Sequence, residues 1–228
     1  MRSIKHNLVF SLLVALLCTA AFTGSSQSQE QAIRACYTNY LAAKKNHDGN
    51  AIAALVSKES INHYGVILDC ALNCSEVMTH ALDPWMKMTV LQARLQFTPS
   101  ELRKQTPQTF FAFMVGKGEL GVENQARPDL QNLGEITVAG NKAKALVLLD
   151  GTIVKVNGEP ATFDFVKEGG IWKVDLVGII AQMEKTLAVI SSRKQETEDQ
   201  KEQTMLEILQ QRLGRDVSQD IWKPINPK

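Results

Sequence analysis

The sequence predicts an α+β fold in which N-terminal helices pack on an antiparallel sheet and a C-terminal helical extension follows. Three observations carry this. From Leu133 to Leu176 short apolar runs alternate with turn signals, the pattern of a strand meander. Before that stretch, apolar residues recur at helical spacing behind recognisable start signals. After it, the chain turns polar and then resumes an apolar helical stripe. These shifts divide the chain into a leader (1–25), an α+β body (26–178) and a helical extension (179–228).

The leader is read from Arg2 and Lys5, an apolar run from Leu8 to Phe22, and the small residues Thr23 to Ser26. The run is about 15 residues, short of the roughly 20 that cross a bilayer comfortably as a helix. Cleavage is expected after Ala21 or after Ser25; an uncleaved anchor is the alternative. Export makes the cysteines a disulfide question. Cys18 leaves with the leader, and Cys36, Cys70 and Cys74 remain. Cys70 and Cys74 are the expected pair, placed in a polar segment without regular structure, with Cys36 a buried small hydrophobe. The alternative joins Cys36 to Cys70 or Cys74. Three cysteines without paired C-x-x-C spacing do not suggest zinc.

Gln29 to Lys45 reads as a helix, since Ile33, Cys36, Tyr37, Tyr40 and Leu41 form one stripe. Asn46 to Gly49 breaks it, and Asp48 caps a short helix carrying Ile52, Leu55 and Val56. Ser57 to Ser75 shows no clear period. Asp83-Pro84 starts a helix to about Gln96, with Trp85, Met88 and Leu95 on one side. Thr98 and Glu101 have capping-box spacing, and Thr106-Pro107 opens the next helix, which holds Phe110, Phe111, Phe113 and Met114. In the meander, turns fall at Gly140-Asn141, Asn157-Gly158 and Glu168-Gly169-Gly170. Ala143, Ala145, Val147 and Leu149 share one face; so do Ala161, Phe163 and Phe165, and Trp172, Val174 and Leu176. Beyond the sheet, Ile179 or Ile180, Met183, Leu187 and Ile190 suit a helix. Met205, Leu206, Leu209 and Leu213 form a second stripe, too apolar to stand bare, that packs on the body or on another copy.

A formal net charge of +1 provides no global field for nucleic acid or anionic membrane. No catalytic motif, metal motif or nucleotide loop stands out, and no cofactor is expected. Two amphipathic helices, then a meander with Gly140-Asn141-Lys142-Ala143 at one turn and Phe163 to Leu176 as the last hairpin, resemble the nuclear-transport-factor-2-like superfamily, in particular its secreted bacterial members. The resemblance spans roughly Gln29 to Gly178. It implies a curved sheet wrapped round helices, often with a conical pocket, but not an activity. The segment Tyr64 to Gln96 and the tail after Gly178 exceed the family pattern.

The resemblance admits three uses. An isomerase- or cyclase-like enzyme would recruit Tyr40, His63, Asp164 or Asp175. A binder of small apolar ligands would line its cone with Tyr37, Tyr40, Phe110 and Phe113. The reading preferred here is an exported, periplasmic or secreted, non-enzymatic protein that binds another protein through Met205, Leu209, Leu213 and Trp222. An immunity protein that neutralises an antibacterial toxin is one version of it. A membrane-anchored envelope-assembly subunit is an alternative, and a homodimer is compatible with the second stripe.

Overall fold

The computed structural model describes residues 27–117, 131–156, 158–182, 184–185, 197–213 and 219–226. The leader, Cys18, Leu187, Ile190 and the single positions Asn157 and Met183 lie outside them, as do the side chains of 198, 212, 213 and 219. Within the described residues the fold is α+β with an antiparallel sheet.

Among the described residues, seven helices precede the sheet: α1 (27–45), α2 (Gly49–Leu55), α3 (Lys58–Asn73), α4 (Glu76–His80), α5 (Pro84–Gln96), α6 (Pro99–Arg103) and α7 (Pro107–Gly116). Their starts follow local chemistry. Asp48 accepts from the Ala51 amide, Ser57 from Ser60 and Ser75 from Met78, each satisfying an orphan donor of a first turn. Thr98 with Glu101 and Thr106 with Thr109 form reciprocal caps, with proline following each N-cap. Where α2 crosses α7, a Cβ on Gly49 would fall 1.8 Å from the Ala112 carbonyl oxygen, so only glycine permits this approach.

The strands are β1 (Gln131–Ala139), β2 (Lys142–Leu149), β3 (Thr152–Ile153), β4 (Lys155–Val156), β5 (Glu159–Pro160), β6 (Thr162–Glu168) and β7 (Ile171–Asp175). The main sheet runs β1-β2-β6-β7, with β3 beside β2. Register places Ala143, Phe165 and Val174 in one row and Ala145 and Phe163 in the next, all facing the helices. In the main sheet, three tight turns use positive φ, where glycine costs least. Gly140 (φ 63) opens the β1–β2 turn, Asp150 and Gly151 (φ 50 and 74) form β2–β3, and Gly169 and Gly170 (φ 57 and 86) form β6–β7. A helical run, α8 (176–182), follows β7; α9 (Glu198–Leu213) and a 3₁₀ turn (Gln219–Trp222) complete the described chain.

Several expectations are corrected. The stretch after Ser57 is a 16-residue helix, α3. Ser60, Tyr64, Ile67, Leu68 and Ala71 are buried at helical spacing, but the polar Ser60, His63 and Asp69 mask the stripe. Cys70 therefore sits in the last turn of a helix, not in an irregular segment. β4 and β5, on either side of position 157, pair as a separate hairpin set off from the main sheet, because β2 pairs directly with β6. Leu149 is exposed at its strand end, unlike its three partners. Trp85 does not share a cluster with Met88 and Leu95: α5 is buried on two sides, Trp85 joining the main core and Met88 and Leu95 a second one.

That second core is built by Leu91 of α5 with Met205, Leu206 and Leu209 of α9 and Ile221 and Trp222 of the 3₁₀ turn. The C-terminal stripe is thus covered by the chain's own α5.

Candidate functional site

The four residues proposed for acid–base work do not converge. Tyr40, on α1, turns to the sheet with its ring 6.1 Å from that of Phe163. His63 lies in α3, 5.5 Å from the Trp85 ring and 6.3 Å from Tyr64, and burial pushes its pKa down. Asp164 and Asp175 are register partners on the sheet face away from Phe165. Asp164 lies 3.3 Å from the Lys144 ammonium and hard against Gly178, where a Cβ would fall 2.2 Å from its carboxylate. Asp175 accepts from the Val177 amide at 3.2 Å and from the Ser57 and Ser60 hydroxyls at 3.3 and 3.5 Å. It ties the start of α8 to the start of α3, which is a structural task.

The four aromatic residues proposed as cone lining lie in or against one core, where their ring contacts fall into two sets. Tyr37 meets Phe163 edge-on at 4.9 Å, and its hydroxyl reaches the Gln131 side chain at 3.5 Å. Burial pushes the Tyr37 pKa up to about 12, so the phenol stays protonated. Phe110 and Phe113 pack instead on Phe97, at 5.9 and 4.2 Å. A surface depression of about 460 Å³ runs along His47, Asn50, Thr109 and Lys117, and Phe113 borders it; Tyr37 and Tyr40 do not. Among the described residues no group of three His, Cys, Asp or Glu side chains is placed to hold a metal ion. No described helix is long and apolar enough to cross a membrane.

Cys70 and Cys74 form a disulfide across the last turn of α3, and Cys36 is a free, buried thiol whose pKa burial raises. This removes the alternative pairing with Cys36. Beyond the bridge, Ser75 caps α4, Thr79 is buried and bonds the Ser75 carbonyl, and the Arg94 guanidinium reaches Thr79 Oγ1 at 3.4 Å. On this pinned turn Val77 is 79% exposed and Met78 57% exposed. Two adjacent apolar side chains in water on a short, tethered helix are a feature folding does not require.

The proposed contact residues Met205, Leu209 and Trp222 are buried in the second core, while the Leu213 side chain lies outside the described set. Sequence reading missed what holds them down. Arg94 donates to the carbonyls of Cys70, Ala71 and Cys74 at 2.9–3.1 Å and to those of Ile221 and Trp222 at 3.0 and 2.8 Å. A guanidinium among the last carbonyls of α3 also meets the negative end of that helix. Burial lowers the Arg94 pKa to about 10, which leaves it charged at neutral pH. Glu202 accepts from Lys87 at 2.9 Å and from His80 at 2.8 Å. Burial works against the Glu202 carboxylate, but the His80 and Lys87 hydrogen bonds outweigh it and hold the pKa below its ordinary value. His80 also stacks on Trp222 at 4.1 Å. The available signal was the spacing Lys87, Leu91, Arg94, one face of α5, on which cations are ordinarily assigned to solvent.

No family model, curated protein or solved structure matches this chain.

Proposed function

We propose that the chain is an exported binding protein, periplasmic or secreted, that acts by contact with another protein rather than by catalysis. The observation behind this reading is the α3–α4 corner. Val77 and Met78 stand in solvent on a helix turn that the Cys70–Cys74 bridge, the Ser75 cap and Arg94 hold still, so a partner would lose little ordering entropy there. Export is supported by the disulfide itself, a bond that oxidising compartments preserve. A nuclear-transport-factor-2-like cone is supported by the helices on one face of the meander and by the Phe163–Leu176 hairpin. Its interior would be filled by Tyr37, Tyr40, Phe163 and Phe165. Neutralising an antibacterial toxin is one concrete form of this activity.

The test captures tagged chain from its own host, comparing wild type with Val77→Glu/Met78→Glu. Surface changes of this kind shift stability by only about 0.5 kcal/mol. A partner held by wild type and lost by the equally stable variant supports the reading. Identical capture by both would overturn the assignment to this corner. Native mass spectrometry of the same preparation separates the small-ligand alternative, and sequencing its N-terminus separates a cleaved leader from an anchored assembly subunit.

A further inference from the structure

We infer that the Cys70–Cys74 disulfide controls the docking of the C-terminal strap, and that its reduction by a dithiol releases α9 and residues 219–226 from α5 while the sheet core stays folded. The strap is α9, the 3₁₀ turn and the tail to Asn226. Its buried apolar residues form a cluster distinct from the main core, and only the partly buried Ile225 of the tail packs against that core among the described residues. Lys87 of α5 holds Glu202, and Arg103 of α6 donates to the Asn226 side chain at 2.8 Å and to the Ile225 carbonyl at 3.3 Å, but most of the strap's other polar anchors fall on one small region. The Asn226 amide donates to the Leu72 carbonyl at 2.8 Å, and the Asn226 side chain to Asn73 Oδ1 at 3.2 Å. Trp222 stacks on His80 of α4. Arg94 grips the Ile221 and Trp222 carbonyls while itself held by the carbonyls of Cys70, Ala71 and Cys74. Thus the last turn of α3 and the end of α4 mount the 3₁₀ turn of the strap, and the disulfide is the covalent tie within that mount.

Reduction acts where the mount is weakest. Without the bridge, the junction keeps one backbone bond, from the Cys74 amide to the Cys70 carbonyl. The Cys74 carbonyl can then swing away from Arg94 and carry α4, with His80 and Thr79, along with it. The chemistry is thiol–disulfide exchange. A thiolate of the dithiol attacks Sγ of Cys74, which is half-buried where Cys70 is fully buried. The S–S bond breaks and Cys70 leaves as a thiolate that takes up a proton. The reagent's second thiolate then displaces Cys74, which is protonated in turn. Two electrons pass to the protein and the dithiol becomes a disulfide. Cys36 takes no part, being buried and free. Release uncovers Met88, Leu91 and Leu95 on α5 and Met205, Leu206 and Leu209 on α9, an apolar face closed in the oxidised form.

Hydrogen exchange read by mass spectrometry on the full chain tests this, comparing oxidised protein, protein reduced with dithiothreitol, and the Cys70→Ser/Cys74→Ser variant. Amides of 203–213 and 219–226 should exchange at least ten-fold faster in both reduced forms, with β6 and β7 unchanged. The inference is overturned if strap exchange does not change, or if strap and sheet lose protection together. It is equally overturned if the bridge stays intact in folded protein under excess dithiothreitol. Should the variant fail to fold, the reduced wild type decides alone.

Discussion

The cluster beneath the sheet and the cluster beneath the strap are filled by the same kinds of side chain, yet their borders differ. Under the sheet, Phe165, Trp172 and Val174 meet Ile33, Tyr37 and Val56, and α1 and α2 are fastened mainly to backbone. Arg34 donates to the Leu133 and Gly134 carbonyls, the Ser57 amide to the Val174 carbonyl, and Lys173 to the Ala54 carbonyl. Under the strap, six buried residues are ringed by Lys87, Glu202, His80 and Arg94. The first region rests on area removed from water, the second on charges that must find their partners. Apolar burial tolerates imperfect geometry, whereas a desolvated charge that loses its partner is costly. The second region is therefore the one built to open first.

The largest expected effect separates the regions by size. Phe165→Ala empties a fully buried site and should cost about 3–5 kcal/mol, with the whole chain melting in one earlier transition. A change confined to the strap would show that β6 does not nucleate the main core. Lys87→Met comes next. It leaves Glu202, only 19% exposed, with His80 as its remaining partner in the pair network, and should cost about 2–3 kcal/mol. Adding Glu202→Met should return most of that loss in a double-mutant cycle followed by denaturant melting, because no stranded charge remains. Full additivity would mean the ion pair has no role in docking. Third is the bridge. The Cys70–Cys74 loop is short, so its loss should cost the whole fold only about 2 kcal/mol. Joint loss of strap and sheet protection when the wild type is reduced would erase the distinction between the regions.

The contrast also explains what could be read from the sequence. Caps, turns and strands were legible because each is set by neighbours in the chain: Thr98 with Glu101, Thr106 with Pro107, Gly169 with Gly170. The inner faces of β2, β6 and β7 followed from alternation. α3 was not legible, because Ser60 is buried for its bonds to Ser57 and to the Leu176 amide, a partner 116 positions away. The Cys70–Cys74 pairing was read correctly from proximity, but its helical setting was not. The C-terminal stripe was recognised as apolar; its cover was not, since Lys87 and Arg94 look like solvent-facing cations until Glu202 and the Trp222 carbonyl are brought to them. Val77 and Met78 were equally hidden, for exposure depends on what the fold fails to cover.

The smallest effect, and the sharpest on the difference between regions, is that of acid. Glu202 has a folded pKa held below its ordinary carboxylate value, and unfolding returns it to the usual range near 4.3. A depressed carboxylate contributes its full stabilisation above the unfolded value and loses it as pH falls through the folded one. Glu202 protonation then strands the Lys87 ammonium, 6% exposed, beside a neutral acid. The sheet's own pair, Lys144–Asp164, is more exposed, Lys144 at 59% and Asp164 at 26%, so solvent screens it more. Hydrogen exchange between pH 6 and pH 3, corrected for the intrinsic acid dependence of amide exchange, should show the strap losing protection before β6 and β7 do. In Glu202→Gln, whose amide cannot titrate, the strap should start loosened at neutral pH and its protection relative to the sheet should no longer change between pH 6 and pH 3. Simultaneous loss of strap and sheet in the wild type would place the acid-sensitive pair elsewhere and remove the charged border as the basis of the contrast.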